Sequence, residues 1–225
     1  DFGSVGFRTI DVDRGPDGRG FGLIVNGESV FCRGVCWTPL DLASLSAERP
    51  AYRAALEQLR DAGVNMIRIG GTMAYETADF HDLCDELGIL LWQYLMFASM
   101  DYPWQDESFA RTVVVEATQV LAALQSRPSL AVVCGSSEVE QQAAMLGLAP
   151  AQWSARGGDE ILSDLVRAAA PGTVWVPTSP TGGTLPFQAD CGVSHYYGVG
   201  AYSRPFEAAR RAGVSVLYLG ADVPE

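Results

Sequence analysis

Apolar runs of strand length alternate with segments of helical period about seven times along this chain. Phe31–Val35 reads as a strand, and Pro50–Ala62 places Tyr52, Leu56 and Leu59 at helical spacing. Asn65–Ile69 is strand-like, and Thr77–Leu87 carries Phe80, Leu83, Cys84 and Leu87 as a helical stripe. Ile89–Tyr94 and Leu130–Cys134 read as strands around a helix over Ser108–Leu124. Asp159–Ala169 is helical. Val174–Pro177, Gly192–His195 and Val214–Leu219 are strand-like, with a short helix at Pro205–Ala212. Such alternation implies parallel strands joined by right-handed crossovers. Gly70-Gly71 follow the second strand, but no GxGxxG or P-loop pattern surrounds them, so a barrel is favoured over a doubly wound sheet. A full (β/α)8 barrel takes about 250 residues, whereas roughly 195 follow the first hairpin here. The expectation is an α/β chain folded as a TIM-type barrel, incomplete, with about seven strands.

A different pattern precedes the alternation. Phe7–Val12 alternates in polarity, and Gly22–Val25 meets Asn26-Gly27, a two-residue hairpin signal, before Ser29–Phe31. Residues 1–30 are therefore expected to be the end of a preceding β domain with a hairpin closing the barrel, and 31–225 the partial barrel. The chain begins Asp1-Phe2-Gly3 with no initiator Met, which reads as a piece of a longer parent with flanking domains.

Composition narrows the partners. The net charge of −12 argues against nucleic acid, whose binders carry a basic face. No apolar run approaches the roughly 18 residues of a membrane span. The five Cys, at 32, 36, 84, 134 and 191, form no CxxC and read as buried reduced thiols, which favours a reducing, cytoplasmic compartment. His81 and Cys84 share a helix face without a second ligand pair, so no metal is expected, and no motif calls for a cofactor.

Chemistry-bearing residues gather where the strands end. Leu130–Cys134 stops at Gly135 and delivers Glu138 just beyond. At the C-terminal rim of a barrel such a carboxylate faces a shared cavity. The competing reading makes Ser136 or Ser137 a helix cap with Glu138 in the first turn. Trp37 and Asp41 follow the first strand, Arg68 ends the second, and Trp92-Gln93 ends the third. Thr178-Ser179 follow the fifth, and His195, Tyr196 and Tyr197 the sixth. Aromatic faces stack on sugar rings while Asp, Arg, Gln and His bond hydroxyls, so these groups suit an oligosaccharide or glycoside.

Ordered across nearly the whole chain, Gly6-Phe7-Arg8, Val25-Asn26-Gly27, Arg33-Gly34, Asn65–Arg68, Tyr75-Glu76, Asp85–Ile89, Trp92-Gln93, Arg127-Pro128-Ser129, Glu138, Pro177–Pro180 and His195-Tyr196 resemble the catalytic barrel of glycoside hydrolase family 2, closest to its β-mannosidase-like members. The resemblance implies a retaining mechanism with two carboxyl groups. Glu138 matches the general acid/base, which implies a raised pKa. By similarity Arg68 holds the nucleophile's carboxylate, and Trp37, Asp41, Trp92, His195 and Tyr197 line the sugar pocket.

Two departures follow. The family places Asn immediately before the acid/base, where Ser137 stands. Its nucleophile Glu ends the seventh strand, but Val214–Gly220 contains no carboxylate; Asp222 and Glu225 come later, and Glu225 is the nucleophile candidate. Three readings stay open: a retaining β-mannosidase-like hydrolase, a degenerate barrel that binds carbohydrate or serves structurally, and a β-galactosidase- or β-glucuronidase-type relative.

Overall fold

The computed structural model describes residues 6–153, 158–198, 203–204 and 217–218. Strands β1 (Ile10–Asp13), β2 (Gly22–Val25) and β3 (Glu28–Val30) form an antiparallel sheet, turned at Asn26-Gly27 with φ positive at both residues. The Asn-Gly hairpin signal makes this turn, and Gly accepts such φ values without steric cost.

Five parallel strands follow in sequence order: β4 (Gly34–Trp37), β5 (Met66–Ile69), β6 (Leu90–Tyr94), β7 (Leu130–Cys134) and β8 (Val174–Val176). The crossovers carry α1 (Arg49–Asp61), α2 (Ala78–Leu87) and α3 (Glu107–Leu124); α4 (Val139–Met145), α5 (Pro150–Trp153) and α6 (Gly158–Ala169) lie between β7 and β8. Local chemistry sets several ends. Pro50 stands in the first turn of α1, Gly88 closes α2 at φ 69°, and the Asp106 carboxylate accepts from the N–H groups of Ser108 and Phe109 at 2.7 and 3.1 Å. A parallel pair, β9 (Ser194–His195) and β10 (Leu217–Tyr218), completes the described strands.

The observed architecture is α/β: each of the seven strands read after the hairpin has a counterpart among the described residues, five in one parallel sheet and two in the separate β9–β10 pair, where a single barrel was expected. The expected helix at Pro205–Ala212, most of Val214–Leu219, and Asp222 and Glu225 lie outside the described residues. Helix α5 has no counterpart in the sequence reading, and α4 only in the competing one that placed a helix cap at Ser136 or Ser137.

Register divides the sheet into two faces. Trp37, Ile69, Gln93, Val133 and Trp175 align across the strands, and this row belongs to the helix-facing side. Cys36, Arg68, Trp92, Val132 and Val174 form the neighbouring row on the opposite face. The helix side packs Tyr52, Leu56, Phe80, Leu83 and Leu121 against Ile67, Ile69 and Leu91. The other side packs Met66, Trp92, Tyr94 and Val176 with Phe21 and Leu23 of the N-terminal segment. Phe21 meets Trp92 at 5.7 Å between ring centroids. Arg8 donates to the carbonyls of Pro128 and Gly172 at 3.2 and 2.8 Å, tying the N-terminal segment to the ends of β7 and β8 remote from Glu138. Among the described residues no helix is long and apolar enough to cross a membrane. None of the five Cys forms a disulfide; Cys84, Cys134 and Cys191 are buried, Cys32 is half-buried, and Cys36 is exposed rather than buried as read.

Candidate functional site

Beyond β7 the backbone is stitched to both neighbours. Gly135 N–H donates to Val176 O at 2.8 Å, Ser137 N–H to Phe97 O at 2.9 Å, and Glu138 N–H to Ser179 O at 2.7 Å. Ser99 N–H and Ser179 N–H donate back to Ser137 O and Ser136 O, at 2.9 and 3.0 Å. These bonds seat Glu138 at the head of α4 with φ 61° and ψ 12°. A non-Gly residue in this region is uncommon and aims its side chain differently from a helical one. Neither Ser136 nor Ser137 caps the helix. Glu138 itself is the N-cap, without a side-chain cap bond, so the capping alternative is set aside.

The Glu138 carboxylate meets two donors on one oxygen. Nδ1 of His195 lies 2.8 Å from Oε1, and the Tyr197 hydroxyl donates to the same atom. His195 is 8% exposed. Its Nε2 lies 2.7 Å from Oγ of the fully buried Ser179. An ionised carboxylate only accepts, so Nδ1 carries the proton. Burial pushes the His195 pKa down, which keeps the ring neutral.

The hydrogen bond from His195, then that from Tyr197, and the charge of Arg68 hold the Glu138 carboxyl at about 2, outweighing the opposite push of burial. The raised pKa implied by the resemblance is therefore not what these neighbours produce. Two donors stabilise the anion more than partial burial penalises it.

Arg68 approaches from β5. Its Nη2 donates to Ser137 Oγ at 3.3 Å and Nη1 to Cys36 Sγ at 3.7 Å, and its guanidinium carbon stands 4.4 Å from the centre of the Tyr94 ring. Desolvation raises the pKa of the buried Tyr94 phenol, so it stays protonated.

The structure thus brings together Arg68, Ser137, Glu138, His195 and Tyr197. It separates the two tryptophans from them. Both were expected to show part of their rings to the site, and both are buried, at 6% and 2% exposure. Trp37 lies in the helix-facing row, where its Nε1–H donates to Glu76 at 2.7 Å and its ring packs on Phe80 at 5.0 Å. Trp92 is on the same face as Arg68 but forms part of the core with Phe21. Asp41 is on an exposed loop, where its carboxylate accepts from Ala43 N–H and the Ser44 hydroxyl at 2.8 and 2.9 Å. Glu225 lies outside the described residues. Tyr94 is the site member that strand-end reading passed over; Ser179 stood among the strand-end residues, but without its bond to His195. Tyr94 was findable as the next residue on the Arg68 face, two beyond Trp92. Among the described residues no three His, Cys, Asp or Glu side chains converge to hold a metal.

Comparison with known proteins bears on this geometry. No protein-family model matches the chain. β-Mannosidase B of Aspergillus terreus is 34% identical over 213 residues, covering 87% of this chain and 25% of the relative. Its counterpart in Aspergillus niger is 32% identical over the same length and shares. The chain therefore spans about a quarter of the length of the curated relatives it matches. Among solved structures, a β-D-mannosidase from Dictyoglomus thermophilum superposes with a TM-score of 0.84 at 30% identity, over 95% of this chain and 27% of that one.

Proposed function

Because the chain is β-mannosidase-like, a segment of glycoside hydrolase family 2, we propose that Glu138 is the general acid/base of a retaining β-glycosidase site that acts on β-mannoside-like substrates. The observation that carries this reading is the convergence of His195 and Tyr197 on a single oxygen of Glu138 at the C-terminal end of the sheet. Among the described residues no hydrogen bond occupies the second oxygen, which in this reading meets a glycosidic oxygen or a water. The five parallel strands and the β9–β10 pair belong, in this reading, to a partial (β/α) barrel of about seven strands over residues 31–225, and residues 1–30 to a β segment that plugs its base through Phe21 and Leu23. The rest of a longer parent supplies flanking domains.

The chemistry divides into two halves. In the first, Glu138 protonates the departing oxygen while a carboxylate attacks the anomeric carbon. In the second, Glu138 takes a proton from water as it hydrolyses the glycosyl intermediate. A carboxyl held near 2 suits the second half. The first half needs the nearby negative charge of a nucleophile, which raises the pKa of Glu138. Arg68 positions that nucleophile, Ser137 borders the sugar in place of the family's Asn, and Asp41 contributes from its loop.

A second reading is favoured by one observation: Val214–Gly220 contains no carboxylate. The chain then binds glycosides without turning them over. An activated aryl β-mannoside, assayed with and without azide, separates the cases. Azide can stand in for a missing nucleophile, giving a glycosyl azide while Glu138 protonates the phenolate. Expected are rates barely above background without azide and a clear acceleration with it. The accelerated rate should fall by about 10²–10⁴-fold in Glu138→Gln with a poor leaving group. Strong turnover without azide makes Asp222 or Glu225 the nucleophile. Binding with no response to azide supports the degenerate barrel.

A further inference from the structure

Ser179 touches Glu138 by two routes. Its carbonyl oxygen accepts the Glu138 N–H at 2.7 Å, and its hydroxyl lies 2.7 Å from Nε2 of the imidazole whose Nδ1 meets the Glu138 carboxylate. The two routes close a ring through main chain and side chain. Ser179 is in turn held by its own N–H, which donates to Ser136 O at 3.0 Å. The order Ser–His–Glu resembles that of a nucleophilic triad, but the Ser179 side chain is fully buried and cannot reach a substrate. Its position fits a different task.

We propose that Ser179 is a positioning residue for Glu138: its hydroxyl donates to Nε2 of His195 and so holds the imidazole in the neutral form that presents Nδ1–H to the carboxylate. The inference rests on the reading of Glu138 as the acid/base. A hydrogen bond donated to a bare ring nitrogen stabilises the neutral ring and opposes protonation there. Without that donated bond the preference for a bare Nε2 is lost, and the ring is freer to carry a proton there. An imidazolium beside Glu138 would then hold the carboxylate ionised and unable to protonate a leaving group. The other groups facing this pair are Arg68, whose charge also disfavours an imidazolium, and the Tyr197 phenol, which donates to Glu138. The buried Tyr94 phenol and Cys134 thiol lie behind Ser179 and Arg68, both kept protonated by desolvation.

The chain has only two histidines, His81 and His195, which makes the test direct. Long-range ¹⁵N–¹H correlation spectra of the full 225-residue chain report which ring nitrogen carries the proton, and Glu138→Gln identifies the His195 signals by moving them. Near neutral pH the wild-type His195 is expected to show a protonated Nδ1 and a bare Nε2. In Ser179→Ala its titration midpoint should rise by about one pH unit. Ser179→Thr, which keeps the hydroxyl, should return it towards the wild-type value. A wild-type ring protonated at Nε2 overturns the proposal, as does a folded Ser179→Ala protein with an unmoved midpoint. If Ser179→Ala does not fold, the wild-type tautomer still decides. Failure of the acid/base reading would appear elsewhere, as azide-accelerated turnover undiminished in Glu138→Gln, and would leave the tautomer result intact.

Discussion

Gly71 lies directly beneath Ser137. A Cβ added at Gly71 would stand 3.2 Å from the Ser137 Cβ and 2.5 Å from Phe97 O, the carbonyl that accepts the Ser137 N–H. The obstacle is main chain, not the tip of a flexible side chain. Gly71→Ala must therefore push the Phe97 carbonyl off the bond that seats Ser137 and Glu138. The expected cost is about 1–3 kcal/mol, as for other overpacked sites, together with a shift of the His195 Nδ1 proton resonance. Urea unfolding and one spectrum check both. Wild-type stability with an unmoved resonance would show that the close approach is tolerated.

Glu76 is a buried carboxylate, 8% exposed, that joins β4 to α1. It accepts from the Trp37 Nε1–H at 2.7 Å and from the Tyr52 hydroxyl. Removing it strands two buried donors. Glu76→Ala should destabilise the chain by roughly 3 kcal/mol, and Trp37→Phe by less, because Tyr52 then still has its acceptor. Denaturant midpoints of the two single variants and the double variant read the coupling. Strictly additive losses would mean that Glu76 and Trp37 do not support one another.

These two sites mark where sequence reading succeeds and where it stops. Leu130–Cys134 was legible to the residue because all five positions are buried, so the apolar run and the strand coincide. Helix α4 was legible only as the helix of the capping alternative, started at Ser136 or Ser137 rather than at Glu138, since Val139–Met145 buries only Gln141 and Ala143, with no hydrophobic period, and begins from a Glu with positive φ. Arg68, Glu138 and His195 were legible as polar residues ending apolar strands. Trp37 was grouped with them because it too ends a strand, yet it sits one residue beyond the Cys36–Arg68 pair and so faces the helices. The bond from Ser179 to His195 joins two separate strand ends across an irregular loop, and no local period announces such a contact.

Tyr197 supplies the second donor to Glu138 and is 37% exposed. Its hydroxyl favours the ionised carboxylate, so its removal should make Glu138 easier to protonate. In Tyr197→Phe the Glu138 midpoint, followed by ¹³C NMR of the side-chain carboxyl, is expected to rise from about 2 by roughly one unit. A rise of this kind moves the carboxyl towards the protonated state that the first half-reaction needs. An unchanged midpoint would leave His195 and Arg68, among the described residues, as the groups holding the charge.

His81, far from Glu138 in sequence and set in α2, should govern how the fold responds to mild acid. It is 4% exposed, and burial, with the charge of Arg127 adding to it, lowers its pKa to about 4. In the unfolded chain an ordinary His binds its proton near 6.5. Between those values the unfolded state holds the proton and the native state does not, so acidification favours unfolding. The contribution of His81 is fully present above about pH 6.5 and drains away as the pH falls towards 4, by up to roughly 3 kcal/mol. His195, whose pKa is also lowered, adds a loss of the same sign. Glu138 acts only below this window, since its depressed carboxyl stabilises the fold above the ordinary glutamate value near 4.3 and loses that stabilisation as the pH drops towards 2. Unfolding free energies from urea titrations at pH 7, 5.5 and 4.5 should therefore fall steadily in the wild-type chain. His81→Gln should flatten most of that slope while leaving the steeper loss below pH 4 in place. An identical slope in the variant would mean that His81 is not buried neutral in the native fold.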